Sequence, residues 1–141
     1  MNTGHKVRAS AVRSRNMAAI KSKNTKPELA VRRALHAAGF RFHLHRRDLP
    51  GSPDLVFASF RTAVFVHGCF WHQHACAKFR WPKTNKAFWR TKLSGNAERD
   101  RRAMEALHAA GWHVEIIWEC EIALRSIRLL QRRLGRRRRI R

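Results

Sequence analysis

The sequence feature that most restricts the fold of this chain is a short segment crowded with potential metal ligands. Residues 67–76 read HGCFWHQHAC and hold three histidines and two cysteines. Clustered Cys and His in a chain of this size favour a metal site over a disulfide, and three cysteines cannot all pair. Tetrahedral zinc takes four such donors, and Cys120, after a later strand-like run, is a candidate for the distant fourth. The alternative is three buried thiols beside exposed histidines, and spacing alone does not choose among the donors.

The charge of the chain predicts a polyanionic partner. Lys and Arg number 31 against 9 Asp and Glu, a net charge of +22. Nine basic residues and no acid follow Glu121, which leaves 22 basic and 9 acidic residues before them. The excess is therefore a property of the folded part as well as of the arginine-rich end. Nucleic acid is the usual partner of such a field; a solvated basic surface or an acidic membrane or protein partner is the alternative.

Length and hydrophobic content favour one folded domain. The 141 residues are 44% hydrophobic, enough for one core and too few for two. The longest uncharged apolar run, 62–71, is about half of the ~20 residues that a membrane span needs. The beginning of the chain has no apolar segment of the kind found in secretory signals. We therefore expect a soluble, cytoplasmic protein.

Local patterns predict the order helix, three strands, helix, strand, helix. A capping box at Thr25–Glu28 begins a helix that Gly39 ends. Strands are predicted at 40–44, 54–57 and 62–66, with a turn over 49–53. A helix is predicted from about 84 to 110, with a candidate break at 94–95, then a strand over 114–118 and a helix over 124–134. This order predicts an α/β domain around a mixed central sheet flanked by helices.

Several separate motifs resemble one family, the very short patch repair (Vsr) endonucleases. The matching strings are RSRNM at 13–17, LPGSPD at 49–54, VHGCFWH at 66–72, FW at 88–89 and WEC at 118–120. The resemblance implies a restriction-endonuclease-like fold with a structural zinc ion. It also implies magnesium-dependent nicking of duplex DNA beside a T:G mismatch, the product of 5-methylcytosine deamination.

The same resemblance implies roles for individual site residues. Asp54, which by position alone is either a metal ligand or a strand-start aspartate, would bind Mg²⁺ together with the main-chain carbonyl of Val66. His72 would be the general acid/base, supported by His67, although spacing alone leaves His72 open as a zinc ligand. Glu28 either supports the metal-bound waters or His72, as the resemblance implies, or only caps its helix. The zinc ligands implied are Cys69, His74, Cys76 and Cys120.

The family resemblance assigns recognition of the mismatch to aromatic side chains that act as wedges. Phe70, Trp71 and Trp89 would insert between base pairs, with Met17 opposing them, although aromatics at such positions are ordinarily core residues. Two helix residues are candidate DNA contacts or merely part of a solvated face: Lys92 and Asn96.

The predicted organisation is a basic arm that contacts DNA (1–24), an endonuclease domain (25–134) and an arginine-rich tail (135–141). The expected partner is double-stranded DNA with a T:G mismatch, with mismatch-repair proteins as candidates; the protein is expected to be a monomer at the bacterial nucleoid. Two other functions are weighed. One is a zinc-stabilised nucleic-acid-binding protein without catalysis, and the other is a restriction-type enzyme that cuts matched DNA.

Overall fold

The computed structural model describes residues 25–77 and 79–137, which form a four-stranded sheet with helices on both faces. In chain order the helices and strands are α1 (Lys26–Ala37), β1 (His43–Leu44), β2 (Leu55–Phe57), β3 (Thr62–His67), α2 (Lys86–Ala109), β4 (His113–Trp118) and α3 (Leu124–Arg136). Single 3-10 turns follow β2 and β4, at Ala58–Phe60 and Glu119–Glu121. The predicted α/β class and order of elements are confirmed.

The sheet is mixed, as predicted, and its strands lie in sequence order. β2 pairs antiparallel with both β1 and β3, whereas β3 and β4 are parallel and are joined through α2. The last pair of the parallel ladder is His67 with Trp118. Because parallel strands end at the same edge of a sheet, the Cys/His loop after β3 lies beside the turn after β4.

Successive side chains along the strands point to opposite faces of the sheet, and each face has its own hydrophobic core. Leu55, Phe57 and Val64 face α1 and α3, whose buried residues are Val31, Leu35, Ile127, Leu130 and Leu134. Ala63 and Phe65 point the other way and pack with Leu107 of α2. Burial of each large apolar side chain contributes roughly 1.5–3 kcal/mol, so these contacts hold the three helices on the sheet. Within the described part of the chain, no helix is long and apolar enough to cross a membrane.

Three predicted boundaries differ from the structure. The strand predicted over 40–44 is confirmed only at His43–Leu44, because Phe40 and Phe42 leave the ladder and pack against Phe57, with ring centroids 6.1 and 5.5 Å away. α2 continues through 94–95 without a break. α3 ends at Arg136, so the first two residues of the predicted tail are helical.

The predicted turn over 49–53 is confirmed and delivers Asp54 to the start of β2. Gly51 has a φ of +75°, and a Cβ there would lie 2.7 Å from the Cβ of Ala103 in α2. A side chain at Gly51 would therefore be both strained and in collision with the helix. The close approach holds the turn, and with it Asp54, against α2.

Candidate active site

An open cleft of about 1040 Å³ lies at the edge of the sheet where β3 ends. Its walls come from the start of α1, the turn before β2, the Cys/His loop and one side of α2. The lining includes seven of the site residues predicted from sequence: Asp54, Val66, His67, Trp71, His72, Lys92 and Asn96. It also includes Arg47 and Arg99, which suit the cleft to an anionic ligand.

Asp54 is held against the end of β3 by a backbone hydrogen bond. The amide of Val66 donates to Asp54 Oδ2 over 2.7 Å. Burial and the nearby Glu28 carboxylate raise the pKa of Asp54 to about 6, and the Val66 amide, His45 and His72 oppose that rise. A partly buried carboxylate whose ionisation is disfavoured by burial and by a neighbouring carboxylate is a setting in which a cation is bound.

Glu28, in the first turn of α1, is the carboxylate that faces Asp54. Its backbone amide donates to the Thr25 hydroxyl, 3.4 Å away, which is the predicted cap. Its side chain is only 1% exposed and accepts hydrogen bonds from Arg32 Nη2 at 2.7 Å and His45 Nε2 at 2.5 Å. One ligand atom each of Glu28, His45 and Asp54 lie within 4.8 Å of one another, a group that can hold a metal ion.

His72 forms a pair with Asp100 of α2. Its Nδ1 lies 2.5 Å from Asp100 Oδ2. A carboxylate on one ring nitrogen fixes the tautomer and leaves the other nitrogen for proton transfer. This arrangement is chemically suited to general acid/base work.

His67 lies flat on His72, with ring centroids 3.8 Å apart and planes 5° from parallel. Burial and the neighbouring His72 lower the pKa of His67 to about 4, against the opposing effect of Asp100. Imidazole lone pairs lie in the ring plane, so two stacked rings cannot share one cation without turning. Although His67, His72 and Asp100 are close enough to form a metal-binding group, their stacking favours proton transfer over ligation.

The Cys/His cluster (Cys69, His74, Cys76 and Cys120) forms beside the cleft. One donor atom from each residue lies within 4.8 Å of the other three, and this group can hold a metal ion. Cys69 and Cys120 each come two residues after the paired ends of β3 and β4, so the parallel register itself brings them together. The His74 ring stacks on the Trp118 indole, with ring centroids 4.0 Å apart, and the rings of His67 and His72 contact the same indole in edge-to-face geometry. Trp118 therefore joins the cluster to the cleft.

The predicted wedge residues form an aromatic group on the rim of the cleft. The rings of Phe70, Trp71 and Trp89 have centroids 5.2 to 6.0 Å apart and are all partly exposed. Lys92 is exposed, and Asn96 Nδ2 donates to the Trp71 carbonyl at 3.2 Å. The aromatics are therefore not core residues, and Asn96 supports their loop. Met17 lies outside the described residues.

Two site residues, Asp100 and His45, are missing from the sequence-based set. Asp100 lies four residues after Asn96 and eight after Lys92, so helical spacing places all three on one face of α2 and could have revealed it. His45 carries no such signal, because the alternation around it describes an ordinary exposed strand. Its amide donates to the Asp54 carbonyl over 3.2 Å, a contact that only the hairpin creates.

Comparison with known proteins agrees with this geometry. The profile of the family described as DNA mismatch endonuclease Vsr matches residues 6–78. The type II nicking enzyme V.XorIIP of Xanthomonas oryzae pv. oryzae is 51% identical over 107 residues, 76% of this chain and 79% of that enzyme. DNA mismatch endonuclease Vsr of Escherichia coli K12 is 43% identical over 112 residues, 79% of this chain and 72% of that protein. The chain therefore belongs to the Vsr family of DNA mismatch endonucleases and is a nuclease that acts on DNA.

Proposed function

We propose that this protein nicks one strand of duplex DNA beside a T:G mismatch, in a reaction that depends on magnesium. The observation that carries the proposal is the meeting of the Asp54 carboxylate and the His72–Asp100 pair in one cleft. Phosphodiester hydrolysis needs a cation at the phosphate and a group that moves a proton. A protein that only binds nucleic acid needs neither, so this pairing favours the enzyme over the binding module.

Asp54 and the Val66 carbonyl are the proposed magnesium ligands. The amide hydrogen bond between the same two residues supports this, because it holds the carboxylate beside the Val66 backbone. When bound, Mg²⁺ neutralises charge on the phosphate oxygens. The burial of Glu28 and its contacts with Arg32 and His45 favour a role in this site over capping alone.

His72 is the proposed general acid/base, and Asp100 holds it. The Nδ1 contact with Asp100 leaves Nε2 to exchange a proton at the phosphate. His67, whose pKa is about 4, stays neutral at physiological pH and positions His72 through ring stacking. We assign it a supporting role.

The Cys/His cluster is the proposed site of a structural zinc ion. Three thiols and one imidazole make a closed tetrahedral set, with no position left for substrate. Such a site would tie the loop that carries His72 to the end of β4. It belongs to the proposed restriction-endonuclease-like fold of residues 25–134.

Phe70, Trp71 and Trp89 are the proposed wedge. A wobble pair unstacks at lower cost than a Watson–Crick pair, and inserted aromatics convert that difference into selectivity. The proposal gives Lys92 a DNA contact and Asn96 the support of the wedge. The arm over 1–24, with Met17, and the tail over 135–141 would add contacts to the duplex. Action as a monomer, location at the nucleoid and contact with mismatch-repair proteins remain parts of the proposal.

The test is strand-resolved nicking of labelled duplexes that are identical except for one T:G or matched pair. With Mg²⁺, we expect a nick in the T-containing strand of the T:G duplex only. Asp54→Asn should abolish nicking. Asp48→Asn is the matched control, because Asp48 is exposed and paired with Arg46 outside the cleft.

Two results would contradict the proposal. An intact T:G duplex under conditions where the protein binds it would leave only the binding function. Equal cleavage of both strands of matched DNA would indicate the restriction-type enzyme.

A further inference from the structure

The outer face of α3 carries a row of four arginines that the proposed chemistry does not use. Ile127, Leu130 and Leu134 bury the inner face of the helix. The opposite face exposes what we call the arginine stripe: Arg125, Arg128, Arg132 and Arg136. At about 1.5 Å of rise per residue the stripe is about 16 Å long.

These four arginines differ from Arg133 of the same helix, and from Arg137 directly after it, in having no internal counter-charge. Arg133 and Arg137 pair with the buried Glu115 at 2.7 and 2.6 Å. Over residues 25–77 and 79–137, no ion pair involves a member of the stripe. The stripe is therefore free to meet an anion from outside the molecule.

The charge pattern works against the helix that carries it. Like charges three or four residues apart repel on a helix surface. Arg125 lies in the first turn, where the helix dipole disfavours a cation, and α3 has neither an acid in that turn nor a side-chain cap at Ala123. Arg136 is favoured by the dipole because it lies in the last turn. Helix formation does not explain the other three arginines of the stripe, whereas a bound polyanion explains all four.

α3 begins just after the turn that follows β4, at the same end of the sheet as the cleft, and the stripe runs from there away from the cleft. Arg137 Nη1 donates to the Thr62 hydroxyl at the start of β3, 3.1 Å away, so the helix ends over the sheet edge opposite the cleft. The strand between, Thr62–His67, spans about 17 Å. Among the described residues, the cleft lining includes no stripe arginine.

We propose that the arginine stripe is a second nucleic-acid-binding surface, which takes the phosphate backbone of duplex DNA outside the cleft. A duplex lying along about 16 Å carries roughly nine phosphate charges, more than enough to engage all four arginines. The contact would add affinity without base readout. This inference rests on DNA being the substrate, but not on mismatch specificity or on magnesium.

The test is the salt dependence of binding to a long, fully matched duplex without divalent ions. Arg128→Gln/Arg132→Gln removes two stripe charges. Arg101→Gln/Arg102→Gln is the matched control: it removes two exposed helix arginines that are paired with Glu98 and Glu105. We expect the stripe variant to bind about tenfold more weakly at low salt, with the log–log salt slope reduced by about 2. The control should change little.

Equal salt slopes for the wild type and the stripe variant would overturn the proposal and point to a solvated face or an acidic protein partner. Equal losses in both double variants would also overturn it, because net charge would then explain the effect. Thermal melts at low salt guard against misfolding, since loss of like-charge repulsion should leave the stripe variant at least as stable as the wild type. Nicking of the T:G duplex is measured separately, so a negative binding result for the arginine stripe would not contradict the proposed function.

Discussion

The Cys/His cluster and the acidic group of the cleft lie at the same edge of the sheet but differ in donor chemistry and charge. The cluster brings three thiols and one imidazole together at the ends of two parallel strands. The acidic group brings Glu28 and Asp54 together with His45. Soft donors in a closed set favour a permanent ion, whereas oxygen donors in an open cleft favour an exchangeable one.

This difference predicts opposite effects on stability. An ion bound by the donors of the Cys/His cluster would stabilise the fold, so the loss of one donor should lower the free energy of unfolding. Without a bound cation, the negative charge of Asp54 destabilises the fold, since burial and the Glu28 carboxylate raise the pKa of Asp54 to about 6. Loss of that charge should therefore stabilise the fold when magnesium is absent, as is common for active-site groups.

The largest effect is expected from Cys69→Ser. Cys69 is 1% exposed and contributes one of the proposed zinc ligands. Structural zinc contributes on the order of 10 kcal/mol to such a site, so we expect loss of bound zinc and of cooperative unfolding. Metal analysis with thermal melts measures both, and His108→Ala, an exposed histidine at the end of α2, is the control. A variant that keeps zinc and the wild-type Tm would contradict a structural role.

Asp54→Asn should abolish nicking and yet raise the Tm of the magnesium-free, zinc-loaded protein at pH 8. The folded-state pKa of about 6 lies above the ordinary 3.8. The stability that Asp54 contributes is therefore present at low pH and lost as pH rises through 6, by about 2–3 kcal/mol. Asparagine carries no charge and escapes this loss.

The pH dependence makes the Asp54 prediction specific. The Tm difference between Asp54→Asn and wild type should be several degrees at pH 8 and should shrink towards pH 4. Mg²⁺ should raise the Tm of the wild type at pH 8 and leave the variant unchanged. A variant less stable than wild type at pH 8 would show that the Asp54 carboxylate stabilises the fold. The acidic group and the Cys/His cluster would then not have opposite effects on stability.

Asp100→Asn tests the other half of the cleft, where a carboxylate orients His72. We expect nicking to slow by about 10²–10⁴-fold, the usual range for an oriented acid/base, with little change in Tm. Glu98→Gln, two residues earlier on the surface of α2, should leave the rate unchanged. A wild-type nicking rate in Asp100→Asn would show that the His72–Asp100 pair takes no part in the proton transfer.

The smallest effect at neutral pH is expected from His67→Gln. Burial lowers the pKa of His67 to about 4, so the stability it contributes above pH 6.5 is lost as pH falls towards 4. The variant should therefore lose less stability on acidification than the wild type, by up to a few kcal/mol. Comparing the two proteins in parallel melts cancels the acid sensitivity of the cluster. If stability falls equally steeply with pH in both proteins, His67 is protonated as readily in the folded state as in the unfolded state, and the prediction is wrong.

Local signals predicted most of the helices and strands. The capping box at Thr25 and Glu28 begins α1 as predicted, and the apolar run over 62–66 forms β3 with His67 at its end. The prediction was wrong where tertiary contacts outweigh alternation, as at Phe40 and Phe42, which pack as a loop against Phe57. Asp100 was detectable from helical spacing but was missed, and His45 was not detectable, because its partners Glu28 and Asp54 come from other elements.

The sequence by itself determined the elements, the charge and the types of donor available for chemistry, because these depend on residues near one another along the chain. Only the tertiary structure decided which donors meet. The parallel register of His67 with Trp118 puts Cys69 beside Cys120, and the packing of α2 puts Asp100 on His72. Such pairings arise from contacts between distant segments, whose geometry follows from burial of the whole core and from no local pattern.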